Sequence, residues 1–254
     1  MDQKAEVIDQ FTQQAESYAA LTTRMRGSGP FDRIAFITPS PEDRVLDIAT
    51  GTGSLALALA PHVAAVTGLD LTPAMIDQAR AAAARDGLSN IDWTVGDAAP
   101  LPFADGAFTL VTCGAAFHHL TDPAAALAEM RRVCAPGGRV MVTDLTPDPA
   151  ISAAFDRFEV LRDPSHTHAL TLDELRAAAR RAGLTEADCR SYATTLPIEM
   201  VFATSFPAEG VLDMLRARLR KDADDATDTQ GFGARWQDGE IWVTYPMSAV
   251  LWRR

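Results

Sequence analysis

Three carboxylates close three apolar, strand-like runs: Asp47 lies in Val45-Leu46-Asp47-Ile48, Asp70 follows Val66–Leu69, and Asp97 follows Ile91–Val95. After the first run comes Ala49-Thr50-Gly51-Thr52-Gly53-Ser54, then a Leu/Ala-rich stretch to Ala60. A strand entering a glycine-rich turn and then a helix can cradle a small polar ligand. Gly51 and Gly53 let the backbone approach it, and the first helical amides face it. Gly51 to Ala56 also satisfies the G-x-G-x-x-G/A pattern of dinucleotide-binding loops, so the loop alone leaves the ligand open. Asp47 argues against a pyrophosphate, because a carboxylate in that strand repels an anion and attracts a cationic amine or sulfonium. Asp70 stands where a carboxylate can take both ribose hydroxyls, which fits either ligand. Gly96-Asp97-Ala98 can set a carboxylate beside an exocyclic adenine amine and a small residue against the ring face.

In order and spacing the chain resembles the class I S-adenosylmethionine-dependent methyltransferases, and among them the ubiquinone/menaquinone methyltransferase-like group. The resemblance runs through Leu46-Asp47-Ile48-Ala49-Thr50-Gly51-Thr52-Gly53, Gly68-Leu69-Asp70-Leu71-Thr72-Pro73-Ala74-Met75 and Val95-Gly96-Asp97-Ala98-Ala99-Pro100-Leu101-Pro102-Phe103. It continues in Phe117-His118-His119-Leu120 and in Glu129-Met130-Arg131-Arg132-Val133-Cys134-Ala135-Pro136-Gly137-Gly138-Arg139. It covers about Asp43 to Asp144 and thins at both ends. Two positions depart from the family pattern. Ala49 stands where many members carry a third loop glycine, and Thr109 where an Asp usually begins the fourth strand.

The resemblance implies S-adenosyl-L-methionine as cofactor. Asp47, Ala49, Thr50, Gly51 and Gly53 would hold its methionine end, Asp70 the ribose, and Gly96, Asp97 and Ala98 the adenine. Leu71 and Met75 would pack on the adenosine, and Cys113, Gly114 and Ala115 would line the methionine side through backbone groups. Tyr18, in an N-terminal helix, would cover the cofactor. Methyl transfer to a small molecule with an O, N or C acceptor would then be an in-line displacement, in which positioning does most of the work. Two other readings stand beside it: a protein that binds the cofactor without transferring methyl, as a regulator or rearrangement catalyst, and a nicotinamide-dependent oxidoreductase.

A general base helps where the acceptor must lose a proton, and histidine titrates in the right range. His118 and His119 follow the fourth strand directly, at the mouth of the site; at least one is expected to pack and fix the loop. His166 and His168 lie in the polar segment Arg162-Asp163-Pro164-Ser165-His166-Thr167-His168. An Arg162–Asp163 ion pair would leave His166 to face the acceptor, which makes it the first choice for an acid/base role. A metal held by these histidines is not expected, since no Glu or Cys completes a spaced ligand set.

Apolar strands alternating with helical stretches indicate an α/β fold. The resemblance completes it as a seven-stranded Rossmann-like sheet of order 3-2-1-4-5-7-6, the last strand antiparallel, with helices on both faces. Strands are expected near 43–49, 64–69, 91–95, 108–114, 139–144, 189–200 and 241–251, and helices near 54–62, 73–86, 123–134 and 171–182. Pro73 and Pro123 sit at first-turn positions, and Thr171 with Glu174 forms a capping pattern. Residues 1–40 would form an N-terminal helical lid, with Phe11, Ala15 and Tyr18 on one face. Residues 41–200 would form the cofactor domain, and 201–254 a lid insertion and the final edge strand. The linker 147–169 and the insertion 203–239 are expected to join the lid. Their aromatics (Phe155, Phe158, Phe202, Phe206, Phe232, Trp236) are read mostly as core, with one or two walling an acceptor pocket.

The 254 residues, 47% hydrophobic, suffice for one sizeable core. A net charge of −11 disfavours nucleic acid, which is bound by clustered Lys and Arg. Arg24, Arg26 and Arg33 read as solvated surface, and the acidic run 222–228 as a mobile loop. Cys113, Cys134 and Cys189 are odd in number and widely spaced, and read as reduced core residues. No signal-peptide pattern and no long apolar run appear. A cytoplasmic protein without stable membrane insertion, monomeric or homodimeric, is expected.

Overall fold

The computed structural model describes residues 3–24 and 30–254, so Arg26 lies outside the described residues. Strands β1 (Arg44–Ile48), β2 (Ala65–Asp70), β3 (Ile91–Val95), β4 (Phe108–Gly114) and β5 (Cys134–Leu145) pair in parallel around β1. Two long strands, β6 (Thr185–Pro197) and β8 (Glu240–Arg253), complete the sheet, with β8 antiparallel to both β5 and β6. The order β3-β2-β1-β4-β5-β8-β6 is the expected topology with one addition. The three-residue strand β7 (Arg235–Gln237) pairs with β8 and makes eight. Asp238 and Gly239 both have positive φ, 50° and 81°, and close that hairpin in the conformation an Asp-Gly turn favours.

The strands read as continuous apolar runs because both faces of the sheet are covered. Leu46, Ile48, Val111, Val140 and Val142 point into one core, packed by helices α5 (Pro123–Val133) and α7 (Leu172–Arg181). Their neighbours Val45, Leu110 and Met141 point into the other, under α3 (Ser54–Leu59). Pro73 opens α4 (Pro73–Arg85), and Thr171 and Glu174 make a reciprocal capping box on α7.

The N-terminal helix α1 (Gln3–Arg24) lies over the carboxyl ends of the strands, and a short α2 (Arg33–Ile37) returns the chain to β1. The linker contains α6 (Ser152–Arg162), α8 (Ile198–Phe202) follows β6 directly, and the insertion contains α9 (Val211–Asp225). These segments build a separate core, in which Phe155, Phe158, Phe202 and Phe232 pack with Tyr245. The acidic run is no loop at its start, since Asp222 to Asp225 end α9. Asp222 is buried and accepts from the Thr227 and Thr229 hydroxyls and the Gln230 amide. Those bonds tie the chain leaving α9 back to the helix, which hydrophilicity alone would not indicate.

Candidate functional site

A cavity of about 880 Å³ opens at the carboxyl ends of β1, β2 and β4, the place where open α/β sheets bind ligands. Its roof is one face of α1, where Lys4, Val7, Phe11, Tyr18 and Thr22 recur at helical spacing. Several contacts among the described residues seat the helix. Gln3 donates to the Ser165 carbonyl (2.7 Å), Lys4 pairs with Asp97 (2.5 Å), Thr22 meets Thr52 (3.0 Å), and Phe11 stands edge-on to His119 at 5.0 Å.

On the floor, Asp47 accepts the hydroxyls of Thr50 (2.6 Å) and Thr112 (2.7 Å) and meets no cation within hydrogen-bond reach among the described residues. Burial pushes its carboxyl above the usual range, against those two hydroxyls. Asp70 accepts the amides of Gly51 (2.8 Å) and Thr72 (2.9 Å), one on each oxygen, and burial raises its pKa too. Each oxygen keeps a lone pair for a further donor. The bond from Gly51 also takes away an amide that a pyrophosphate would need.

Of the residues expected to hold a cofactor, Tyr18, Asp47, Ala49, Thr50, Gly51 and Asp70 line this cavity. So do Leu71, Met75, Gly96, Asp97, Ala98, Gly114 and Ala115. Gly51 has φ +53°, and a Cβ there would point at Tyr18, 4.0 Å away. Gly53 and Cys113 do not line it. A Cβ on Gly53 would stand 2.9 Å from Trp93 and 3.2 Å from Ala79, so that glycine serves close packing of helix on sheet. Cys113, on β4, is buried in the core, and burial pushes its thiol well up.

The histidines divide differently from expectation. His119 lines the cavity, whereas His118 and His166 do not. His118 Nδ1 bonds Asp144 at 2.6 Å, and the same carboxylate accepts the amides of Ala116 and Phe117. Burial lowers the His118 pKa, but Asp144 outweighs it, so an imidazolium–carboxylate pair pins the loop after β4. His166 is held by Asp156 (2.8 Å) and buried, with its ring 5.5 Å from that of His118. It does not take the expected acceptor-facing place, because Asp156 holds its Nε2; the expected Arg162–Asp163 pair is also secondary, since Arg162 pairs chiefly with Glu159, at 2.6 Å against 3.9 Å for Asp163. Half-buried His168 joins Asp156 and Glu174. Among the described residues no His, Cys, Asp or Glu group is arranged to hold a metal.

His119 Nδ1 lies 3.1 Å from the Ser165 carbonyl oxygen, which can only accept. The proton therefore sits on Nδ1, and the lone pair is on Nε2. Burial and the charged His118 hold this imidazole well below the usual histidine range, so it stays neutral. Ser165 is fixed in turn by its hydroxyl and amide bonds to Asp163.

The linker and the insertion contribute no wall, and none of their six aromatics lines the cavity. The aromatic wall comes instead from Phe11, Tyr18, Phe31 and Tyr192, with Phe31 stacked on Tyr192 at 4.7 Å. Arg33 also faces the cavity, although its sequence context reads as surface. Only the helical spacing of Phe11 and Tyr18 signals this wall in the sequence; Tyr192 arrives from an edge strand with no local motif.

Comparison with known proteins agrees with this geometry. Residues 46–142 match a family model described as a methyltransferase domain. The chain is 33% identical over 193 residues to the uncharacterized methyltransferase YcgJ of Bacillus subtilis, covering 74% of this chain and 75% of that one. It is 36% identical over 170 residues to the ubiquinone/menaquinone biosynthesis C-methyltransferase UbiE of Dinoroseobacter shibae, covering 62% of this chain and 67% of that one. The solved structure of Bacillus subtilis YcgJ superposes with a TM-score of 0.78 at 28% identity, over 87% of this chain and 95% of that one. The chain belongs to the class I S-adenosylmethionine-dependent methyltransferases, in the UbiE-like group.

Proposed function

We propose that this methyltransferase moves a methyl group from S-adenosylmethionine to a flat small-molecule acceptor, with the neutral His119 accepting a hydrogen bond from the acceptor and aligning it. The observation that carries the reading is a cavity whose two buried carboxylates, Asp47 and Asp70, are bonded among the described residues only by neutral donors. That donor set fits a ligand with a cationic end and a diol. S-adenosylmethionine supplies an electrophilic sulfonium methyl.

Asp47 would attract the positive end of the ligand, and Asp70 would take the ribose hydroxyls on its remaining lone pairs. Asp97, shared with Lys4, and Ala98 would receive the adenine, with Leu71 and Met75 against it. Gly51 permits close approach, and Tyr18 closes the site above it. Tyr18 and α1 exclude water, which strengthens each of these electrostatic contacts. His119 directs the Nε2 lone pair toward the acceptor side, while Ser165 and Asp163 hold its ring. The stacked Phe31 and Tyr192 offer a flat apolar wall suited to an aromatic acceptor.

The test is calorimetric titration with S-adenosylmethionine, S-adenosylhomocysteine and NAD, then incubation with pooled phenols, amines and quinol precursors under mass detection. Binding of the first two and not the third, with a product heavier by one methyl, is the expected result. Binding without product from any acceptor class would favour a cofactor-binding protein that transfers no methyl, and binding of NAD alone would overturn the reading.

A further inference from the structure

Arg33, in the first turn of α2, lines the cavity and among the described residues makes no hydrogen bond and no ion pair. A Cβ built on Gly114 would stand 3.9 Å from its Nη1, so the guanidinium lies over the carboxyl end of β4. Its charge also reaches Asp47, Tyr18 and Tyr192, lowering the pKa of each against the rise from burial. Among the described residues the other Lys or Arg lining the cavity is Lys4, which is paired with Asp97 at the adenine end.

The anions are more numerous. Asp32, Asp47, Asp70, Asp97 and Asp122 all line the same space. Asp32 and Asp122 are engaged as helix caps by the Ala35 and Ala125 amides. A carboxylate entering this cavity would be repelled and desolvated together, which is costly without a cation to meet it. The methionine end of the cofactor is a zwitterion, and Asp47 can answer only its ammonium.

We propose that Arg33 receives the α-carboxylate of the methionine moiety, so that Arg33 and Asp47 grip the two charges of the amino-acid end from opposite sides. This rests on the reading of the cavity as the S-adenosylmethionine site. It also explains why an arginine faces inward without a partner: the ligand completes the pair. A guanidinium suits the task because its planar fork matches a carboxylate with two parallel N–H donors.

The experiment is a mutation-by-ligand cycle, read as dissociation constants by calorimetry on the full chain. S-adenosylmethionine and decarboxylated S-adenosylmethionine are titrated into the wild type, Arg33→Gln and Arg33→Lys. Arg33→Gln is expected to weaken S-adenosylmethionine about tenfold to a hundredfold and to leave the decarboxylated ligand within about twofold. Arg33→Lys should fall between, since it keeps the charge and loses the fork. Equal weakening of both ligands would overturn the inference, leaving Arg33 as a shaping residue. No weakening of either would also overturn it and turn attention to an anionic acceptor. A wild type that binds neither ligand would bring down the cofactor reading itself, a different failure. Where Arg33→Gln does not fold, the Arg33→Lys cycle separates the same outcomes on a smaller scale.

Discussion

Two aspartates stand at opposite ends of one strand, both buried, and differ in what surrounds them. Asp43, just ahead of β1, accepts the Ser40 amide and the Thr109 hydroxyl and is ion-paired with Arg139. Asp47, near the far end, has two threonine hydroxyls and, among the described residues, no guanidinium bonded to it. Burial raises both carboxyls. At Asp43 the amide, the hydroxyl and Arg139 outweigh it, and the group titrates below its ordinary range, whereas at Asp47 burial prevails. The chain bonds a cation to the carboxylate at the end that holds the fold together, whereas at the cavity end Arg33 reaches Asp47 only through its field and, among the described residues, no cation is bonded to it. A buried carboxylate without a bonded counter-charge marks a place where a ligand can bring one. The departure at Thr109 belongs to the same contrast. A hydroxyl there donates to Asp43 and accepts from the Arg44 amide, which a carboxylate facing Asp43 could not do.

The largest effect is expected at the structural end. Arg139→Ala removes the pair with Asp43 and two donations to the Ile37 and Thr38 carbonyls, and should cost about 3–5 kcal/mol in urea unfolding. The depressed carboxyl of Asp43 contributes stability that is present above the unfolded value of about 3.9 and lost as pH falls through its folded value. In Arg139→Ala that acid limb should flatten. At the functional end, His119→Gln should lower kcat by about a hundredfold through lost alignment of the acceptor, while leaving S-adenosylmethionine affinity within about twofold. Because His119 is held neutral, the wild-type rate should show no histidine limb near pH 6–7; such a limb, lost in the variant, would refute the assignment.

Asp47→Asn comes next and runs opposite to Arg139→Ala. Affinity for S-adenosylmethionine should fall by about 2 kcal/mol, near thirtyfold, while the ligand-free protein keeps or gains stability because no charge is desolvated. The raised pKa sets the sign of the pH effect. Below it the carboxyl is protonated and a cationic ligand binds less well, so wild-type affinity should rise with pH through that value and the Asn variant should not follow. A variant that loses stability along with affinity would erase the distinction between the two ends.

The end that carries the chemistry is the more legible in the sequence, because motif residues there act through backbone geometry and sit close together in the chain. Asp47, Gly51 and Asp70 are placed by adjacent strand–turn–helix units, and local pattern suffices for such units. What pattern does not give is assembly across distance. Tyr192 reaches the cavity from a strand near the sheet edge, and Phe31 stacks on it from the other end of the chain. His166 looks available when adjacency is taken to pair Arg162 with Asp163, whereas an i,i+3 partner, Glu159, lies on the same helix face and wins. The short β7 is signalled by Asp238-Gly239 but hidden inside a charged stretch. The aromatic residues of the linker and insertion are mostly core, as their sequence suggests, yet none walls the cavity. Phe155, Phe158, Phe202 and Phe232 bury one another against β8, which periodicity within each segment does not reveal, while Phe206 and Trp236 stay exposed.

The smallest expected effect tests whether the loop itself carries strain. Ala49 has φ +50°, a left-handed conformation that costs an L-residue about 1 kcal/mol and a glycine almost nothing. Glycine is common at this position in the family, so the departure has a physical consequence. Ala49→Gly should relieve the strain but add chain entropy to the unfolded state, about 0.5–1 kcal/mol in the opposite direction. The net gain should be about a few tenths of a kcal/mol, and a rise in Tm of about 1–2 °C. S-adenosylmethionine affinity should not change, since neither Asp47 nor Asp70 loses a donor. A fall in Tm would mean that the Ala49 methyl, half-buried and packed against the core beside Leu46 and Ile48, contributes more than the backbone loses.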